Sequence, residues 1–145
     1  MDKYALRPVF VYGTLKSKER LHNFLAKQSY LGKATTVDSN FLLKEFARSF
    51  PIAFRNNASE CKYRVRGEVY DIQDEEQYEN VRLLEENAGY KRVKTLVDFG
   101  NGIPEVAEMY IMEESDINFN NPALTNHSIT VEGNVQEWGR GNEVV

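Results

Sequence analysis

Three short stretches of the chain hold residue types that can do chemistry. The first is Tyr12-Gly13-Thr14-Leu15, which follows a β-branched and aromatic run, Val9-Phe10-Val11, and leads towards a helical pattern. A glycine there lets backbone approach a ligand closely, and turn amides left free just ahead of a helix suit an anion such as a carboxylate. The helix dipole would add roughly 0.3–1 kcal/mol at an exposed position. Taken alone, the tetrapeptide reads first as a tight strand-to-helix turn.

The second stretch is Val81-Arg82-Leu83-Leu84-Glu85-Glu86. On a helix that starts near Glu75, Glu85 follows Tyr78 and Val81 along the apolar stripe, whereas Glu86 follows Arg82 on the polar side. Burial raises a carboxyl pKa towards neutrality, where the group serves as general acid or base at cellular pH. The commoner fate of such a glutamate is to reach water at the helix end or pair with Lys91 or Arg92. The third stretch is Tyr90-Lys91-Arg92, in which a strand would turn Tyr90 and Arg92 to one face as an aromatic wall and a cation. The same two residues would also serve as a surface pair. Tyr110, on the partner strand of an expected hairpin, is a further wall candidate.

Other chemistry is excluded by residue type. His22, His127 and the single cysteine, Cys61, show neither a catalytic spacing nor a repeated Cys/His spacing for zinc, so no metal is expected. Eighteen Lys+Arg against 22 Asp+Glu give a net charge of −4, which argues against nucleic acid as a partner. Met1 to Pro8 lack the apolar region of a signal peptide, and no apolar run reaches the length of a membrane span. The expectation is a cytoplasmic protein with a small-molecule partner and no membrane partner. Asn57-Ala58-Ser59 and Asn126-His127-Ser128 then read as coincidental glycosylation sequons.

Elements must hold these residues in place. With 145 residues, 41% of them hydrophobic, the chain suits one domain, 1–145, with a polar Asn-rich region from about 115. A strand over Val9–Tyr12 precedes a helix over Glu19–Lys27, whose Leu21, Phe24 and Leu25 share a stripe. Tyr30–Val37, Phe41–Leu43 and Phe50–Phe54 read as extended, with Pro51 suited to an edge. Tyr63–Ile72 alternates apolar and polar residues as a half-buried strand does. Asp74 caps the next helix, with Gln77 completing a capping box, Glu75 and Glu76 in the first turn and Gly89 as terminator. Tyr90–Asp98 and Val106–Met112 form a hairpin across Phe99–Pro104. After Glu114 the pattern predicts a loop, a return strand at Ser128–Val131 and a loose tail that carries Trp138. This order suits an α+β domain or a small barrel better than βαβ alternation.

An ordered set of motifs runs through residues 8–112. It comprises Val11-Tyr12-Gly13-Thr14-Leu15-Lys16, His22, Leu31-Gly32-Lys33-Ala34, Phe50-Pro51, Val65-Arg66-Gly67-Glu68-Val69-Tyr70, Leu84-Glu85 and Tyr90-Lys91-Arg92. In these the chain resembles the γ-glutamylcyclotransferase-like superfamily, particularly the branch of γ-glutamylamine cyclotransferase and the butirosin-pathway deprotecting enzyme. The resemblance implies an α+β fold, a small, mixed, closed or nearly closed β-barrel of about five to seven strands flanked by a few α-helices. It implies that Gly13, Thr14 and Leu15 hold the α-carboxylate of a γ-glutamyl substrate and that Glu85 moves protons on its α-amino group. Tyr12, Tyr90, Arg92 and Tyr110 are the remaining substrate-binding candidates.

The implied reaction needs no cofactor: the α-amine attacks the γ-carbonyl, closing 5-oxoproline and releasing an amine. Family members carry Leu-Asp, two residues, the glutamate and often a glycine; here Arg82 stands for the Asp and Glu86 for the glycine. The helix face favours Glu85, the gap to Tyr90 favours Glu86, and Glu86 is the next choice. The alternative is a non-catalytic carboxylate-binding protein on the same fold. The leaving amine is expected near loops such as Asn40 to Arg48 and the Asn-rich stretch after Glu114.

Overall fold

The computed structural model describes residues 6–16, 19, 21–46, 50–56 and 62–139. Cys61 and the Asn57-Ala58-Ser59 sequon lie outside these residues.

Strand β1 (Pro8–Val11) is a short, nearly fully buried run, and its neighbours come from distant parts of the chain. On one edge Phe10 pairs with Val69 of antiparallel β5 (Arg64–Asp71). On the other it pairs with Met109 of parallel β7 (Glu105–Ile111). β6 (Lys91–Asp98) and β2 (Ser29–Thr36) complete the order β1-β7-β6-β2-β5, and the β1–β5 pairing closes it into a five-stranded barrel of mixed direction. The fold class is therefore the expected one. Inside the barrel pack Phe10, Val65, Val69, Val97, Met109 and Ile111.

β3 (Phe41–Phe46), β4 (Phe50–Arg55) and β8 (Leu124–Thr125) form a second sheet in the order β4-β3-β8. β4 is an edge strand, as its Pro51 requires, since proline has no N–H for a ladder. β9 (Ile129–Glu132) and β10 (Val135–Trp138) make a hairpin whose β10 runs parallel to the first residues of β5. β5 thus meets β2, β1 and β10. Its expected alternation fails after Arg66, because Gly67 through Asp71 are all buried. A Cβ on Gly67 would collide with the Val11 carbonyl and stand 2.9 Å from the Phe10 ring, so barrel closure requires glycine there.

Helix α1 (Glu75–Asn87) starts where the caps predict, with the Gln77 amide donating to Asp74 Oδ1 at 3.0 Å. The Gln77 side chain does not return to Asp74 but donates to the Phe24 carbonyl at 2.6 Å, fastening α1 to the segment after β1. That segment departs from expectation. Instead of a helix over Glu19–Lys27 it contains one 3₁₀ turn, His22–Phe24, without a side-chain cap. Leu21, Phe24 and Leu25 still pack beside α1, so the apolar stripe serves burial without a full helix. Among the described residues α1 is the one α-helix, and no helix is long and apolar enough to cross a membrane.

The end of the described chain also departs from expectation. Trp138, expected in a loose tail, is fully buried in the barrel core. Its indole donates to the buried Glu45 carboxylate at 2.7 Å, which also accepts the Ser128 amide at 3.2 Å. Burial alone would raise the Glu45 carboxyl, but hydrogen bonds from Trp138, Ser128 and Thr125 outweigh it and hold the pKa below the ordinary value.

Candidate functional site

The turn after β1 is built by partners that claim its carbonyls. The Gly13 carbonyl accepts the Lys16 amide at 3.0 Å and the Thr14 carbonyl accepts the Leu21 amide at 2.9 Å. His22 Nδ1 lies 3.0 Å from the Leu15 carbonyl, a donor when that nitrogen carries the proton. The N–H groups of Thr14 and Leu15, by contrast, have no acceptor among the described residues. Amides with their carbonyls turned away form an anion nest. The three-residue 3₁₀ turn behind it is too short for a helix dipole, so the expected dipole contribution is absent and the amides act alone.

A protein neighbour requires glycine at position 13. A Cβ there would lie 2.6 Å from Cγ and 2.8 Å from Cδ of Pro51, whose ring covers the turn. One residue beyond the nest, buried Lys16 donates from Nζ to the Trp138 carbonyl and lies 3.9 Å from Glu137, which ties the turn to β10.

Helix α1 ends with Gly89 at φ +95°, and two hydrogen bonds close the terminus: Gly89 N–H to the Glu86 carbonyl at 3.0 Å and Tyr90 N–H to the Glu85 carbonyl at 3.0 Å. This is the Schellman arrangement. It turns the chain sharply from α1 into β6 and holds Tyr90 beside the last apolar-face position of the helix.

A cavity of about 300 Å³ lies between these two turns. Tyr12, Gly13, Thr14 and Leu15 line it from one side, Leu84, Glu85 and Ala88 from the helix end, Tyr90 and Tyr110 from β6 and β7, and Phe50 and Pro51 from β4. Of the residues singled out by sequence, Tyr12, Gly13, Thr14, Leu15, Glu85, Tyr90 and Tyr110 meet in this one place. Glu86 and Arg92 are not in the lining. Glu86 is exposed and paired with Arg82 Nη1 at 2.6 Å, part of a surface ladder that also holds Glu79. Arg92 lies on the same face as its cross-strand partner Tyr110, but its Nη1 donates to the Tyr78 hydroxyl at 2.5 Å and its Nε stands 4.0 Å from Glu108.

Glu85 is the one titratable carboxylate in the lining, and no described residue gives it a hydrogen bond or a cation. Desolvation pushes its pKa up to about 7. The three tyrosines around it differ. Tyr12 donates to the Tyr110 carbonyl at 2.6 Å and accepts the Ala53 amide at 3.2 Å. Tyr90 donates to the Pro51 carbonyl at 2.7 Å. Both phenols are thereby spent on holding β4 against the barrel. Burial raises the pKa of both, with the Glu85 charge adding to it.

Sequence reasoning missed Leu21, Phe50, Pro51, Leu84 and Ala88 as walls. The pairing of β4 with the Tyr90 hydroxyl is long-range and left no local pattern; only the Phe50-Pro51 pair within the motif set pointed that way. No described residue of Asn40–Phe46 or beyond Glu114, the expected neighbourhood of the leaving amine, lines the cavity. Arg48 lies outside the described residues. His22 Nδ1 faces the Leu15 carbonyl, and among the described residues no group of three or more His, Cys, Asp and Glu could hold a metal.

Comparison with known proteins gives the family and the fold. The family described as gamma-glutamyl cyclotransferase, AIG2-like, matches residues 9–134. No curated protein sequence matches. Among solved structures, an uncharacterized protein from Pyrococcus horikoshii is 25% identical with a TM-score of 0.57, covering 73% of this chain and 77% of its own. An AIG2-like protein from Mus musculus is 22% identical with a TM-score of 0.61, covering 74% and 77%. A gamma-glutamyl cyclotransferase is 15% identical with a TM-score of 0.56, covering 73% and 66%. These last two likenesses speak to the fold. With the barrel, the motif order and a match across residues 9–134 in agreement, the chain belongs to the gamma-glutamyl cyclotransferase, AIG2-like, family of cyclotransferase-like enzymes.

Proposed function

We propose that the protein is a cofactor-free γ-glutamyl cyclotransferase that releases 5-oxoproline and a free amine from a small γ-glutamyl amine or γ-glutamyl amino acid. The observation that carries this reading is the shared cavity: amides of Thr14 and Leu15 on one wall and the Glu85 carboxylate on another, none of them paired among the described residues. The amides suit the α-carboxylate of the γ-glutamyl group. Glu85 suits its α-ammonium, because a desolvated carboxylate with no cation among the described residues gains most from a ligand that brings one.

Chemistry follows from that placement. Glu85 accepts a proton from the α-ammonium, and the neutral amine attacks the γ-carbonyl carbon to form the ring bond. Protonated Glu85 gives its proton to the departing nitrogen as the old C–N bond breaks. The ring nitrogen then sheds its extra proton, which the released amine carries away as an ammonium. A carboxyl with a pKa of about 7 suits both directions at neutral pH. Holding amine and carbonyl in one small cavity supplies proximity. Arg82 and Glu86, which depart from the family pattern, pair with each other on the helix surface, and this supports Glu85 as the base.

The test is purified protein with a panel of γ-glutamyl amines and dipeptides, read as 5-oxoproline by mass spectrometry, with Glu85→Gln as control. Release that vanishes in the variant supports the reading. Saturable binding without release from any substrate would replace it with a carboxylate-binding protein on this fold.

A further inference from the structure

The mechanism leaves the hydroxyl of Tyr110 unused. Tyr110 lines the cavity beside Glu85 and is 4% exposed, yet among the described residues its hydroxyl has no hydrogen-bond partner. Its carbonyl, not its phenol, accepts from Tyr12. The hydroxyls of Tyr12 and Tyr90 are committed to backbone oxygens. Nearby, Tyr78 is committed to Glu108 at 2.5 Å. The Tyr110 hydroxyl is not among the sealed polar atoms without a partner; with its ring buried, it opens on the cavity with no acceptor among the described residues, unlike its neighbours, and that leaves the donor for a ligand.

The ligand has one polar atom still unserved. In the proposed reaction the nest takes the α-carboxylate and Glu85 takes the α-amine. The γ-carbonyl oxygen is left, and it gains a full negative charge as the amine attacks. The cavity lining holds no Lys or Arg and no amide side chain to meet that charge. Resting on the proposed cyclotransferase reading, we propose that the Tyr110 hydroxyl donates a hydrogen bond to the γ-carbonyl oxygen and stabilises the oxyanion of the tetrahedral intermediate. No proton transfers in this step: as the C–N bond forms, the carbonyl electron pair moves to oxygen, and it returns when the leaving amine departs. Burial, together with the charges of Tyr78, Glu108 and Glu85, keeps the phenol protonated and therefore a donor, while Arg92 opposes this.

Tyr110→Phe keeps the ring in the core and removes only the donor. Preorganised donors of this kind act on charge that develops in the transition state, so kcat should fall by roughly 10²–10³-fold with KM nearly unchanged. A γ-glutamyl thioamide supplies a readout that packing would not move. Sulfur accepts hydrogen bonds poorly, so wild type should prefer the oxygen substrate strongly, and Tyr110→Phe should lose most of that preference.

The outcomes separate the two readings. If wild type releases no 5-oxoproline, the cyclotransferase reading and this inference fall together. If wild type turns over and Glu85→Gln does not, but Tyr110→Phe keeps its kcat or its oxygen-over-sulfur preference, this inference alone is overturned. Should Tyr110→Phe fail to fold, the wild-type ratio decides: a value near one overturns the hydrogen bond to the carbonyl oxygen.

Discussion

The Tyr90 amide donates to the Glu85 carbonyl at 3.0 Å, so the helix terminus itself sets the spacing between a cavity carboxylate and a cavity tyrosine. The Tyr90 hydroxyl then reaches the Pro51 carbonyl of β4. One local motif, fixed by Gly89, thus positions the proposed base and braces the wall opposite it.

Glu85→Gln keeps the shape of the side chain and removes its basicity. Turnover should fall by at least roughly 10²-fold, the low end of what a positioned acid/base contributes, while substrate binding survives. In wild type, log kcat/KM should rise with pH up to about 7, where Glu85 becomes ionised, and level off above. A steady-state pH profile of both proteins checks this. The rising limb should be missing from whatever residual rate the variant retains.

The same shift predicts a stability effect of defined sign. The Glu85 carboxyl moves from an ordinary 4.5 to about 7 in the fold, so the folded protein holds this proton more tightly than the unfolded chain. Its contribution is complete below pH 4.5 and is lost as pH rises through about 7. Glutamine stays neutral throughout. Denaturant titrations should therefore find Glu85→Gln more stable than wild type at pH 8, by up to roughly 3 kcal/mol, and equal to it near pH 4.

Gly13→Ala places a methyl 2.6 Å from Pro51 Cγ, and either the nest or β4 must move. Overpacking of this kind costs about 1–3 kcal/mol. Thermal melting should show the loss. Calorimetry with a γ-glutamyl ligand should show weakened binding as well, since the displaced turn carries the Thr14 and Leu15 amides.

Trp138→Phe removes the indole donor from a fully buried carboxylate. Leaving Glu45 short of a partner should cost roughly 1–3 kcal/mol. Glu45, held below its ordinary pKa, contributes stability above the unfolded value that disappears as pH falls through the folded value. In the variant, the advantage of neutral over acidic pH should shrink, which denaturant midpoints at pH 7 and pH 3.5 will reveal.

Local signals carried much of the fold. The Asp74 cap and Gly89 terminator bracket α1 within a residue, and the alternating β6 and β7 sequences meet in the expected hairpin. Glu85 was legible because a helix face is a local property that needs only Tyr78 and Val81 as references. The failures share a cause. Leu21, Phe24 and Leu25 form a helical stripe, yet packing against α1 satisfies them in a 3₁₀ turn. Trp138 had no periodic neighbours to announce burial, because the barrel core that buries it and the Glu45 carboxylate that its indole meets come from distant parts of the chain. Pro51 read only as an edge residue; that its ring covers Gly13 and its carbonyl anchors Tyr90 depends on contacts no local window contains.

The placement of β1 also bears on how the chain reaches this state. Val9 is zipped to Tyr70 on one side and Glu108 on the other, so the first strand finds its slot only after both distant partners exist. Such non-local pairing slows folding, because long loops must close before any contact rewards them. During synthesis the barrel must wait open for β7. The anion nest, which hangs directly from the end of β1, is then among the last parts of the molecule to take shape, and ligand affinity should emerge in a refolding experiment later than the α1 helical signal.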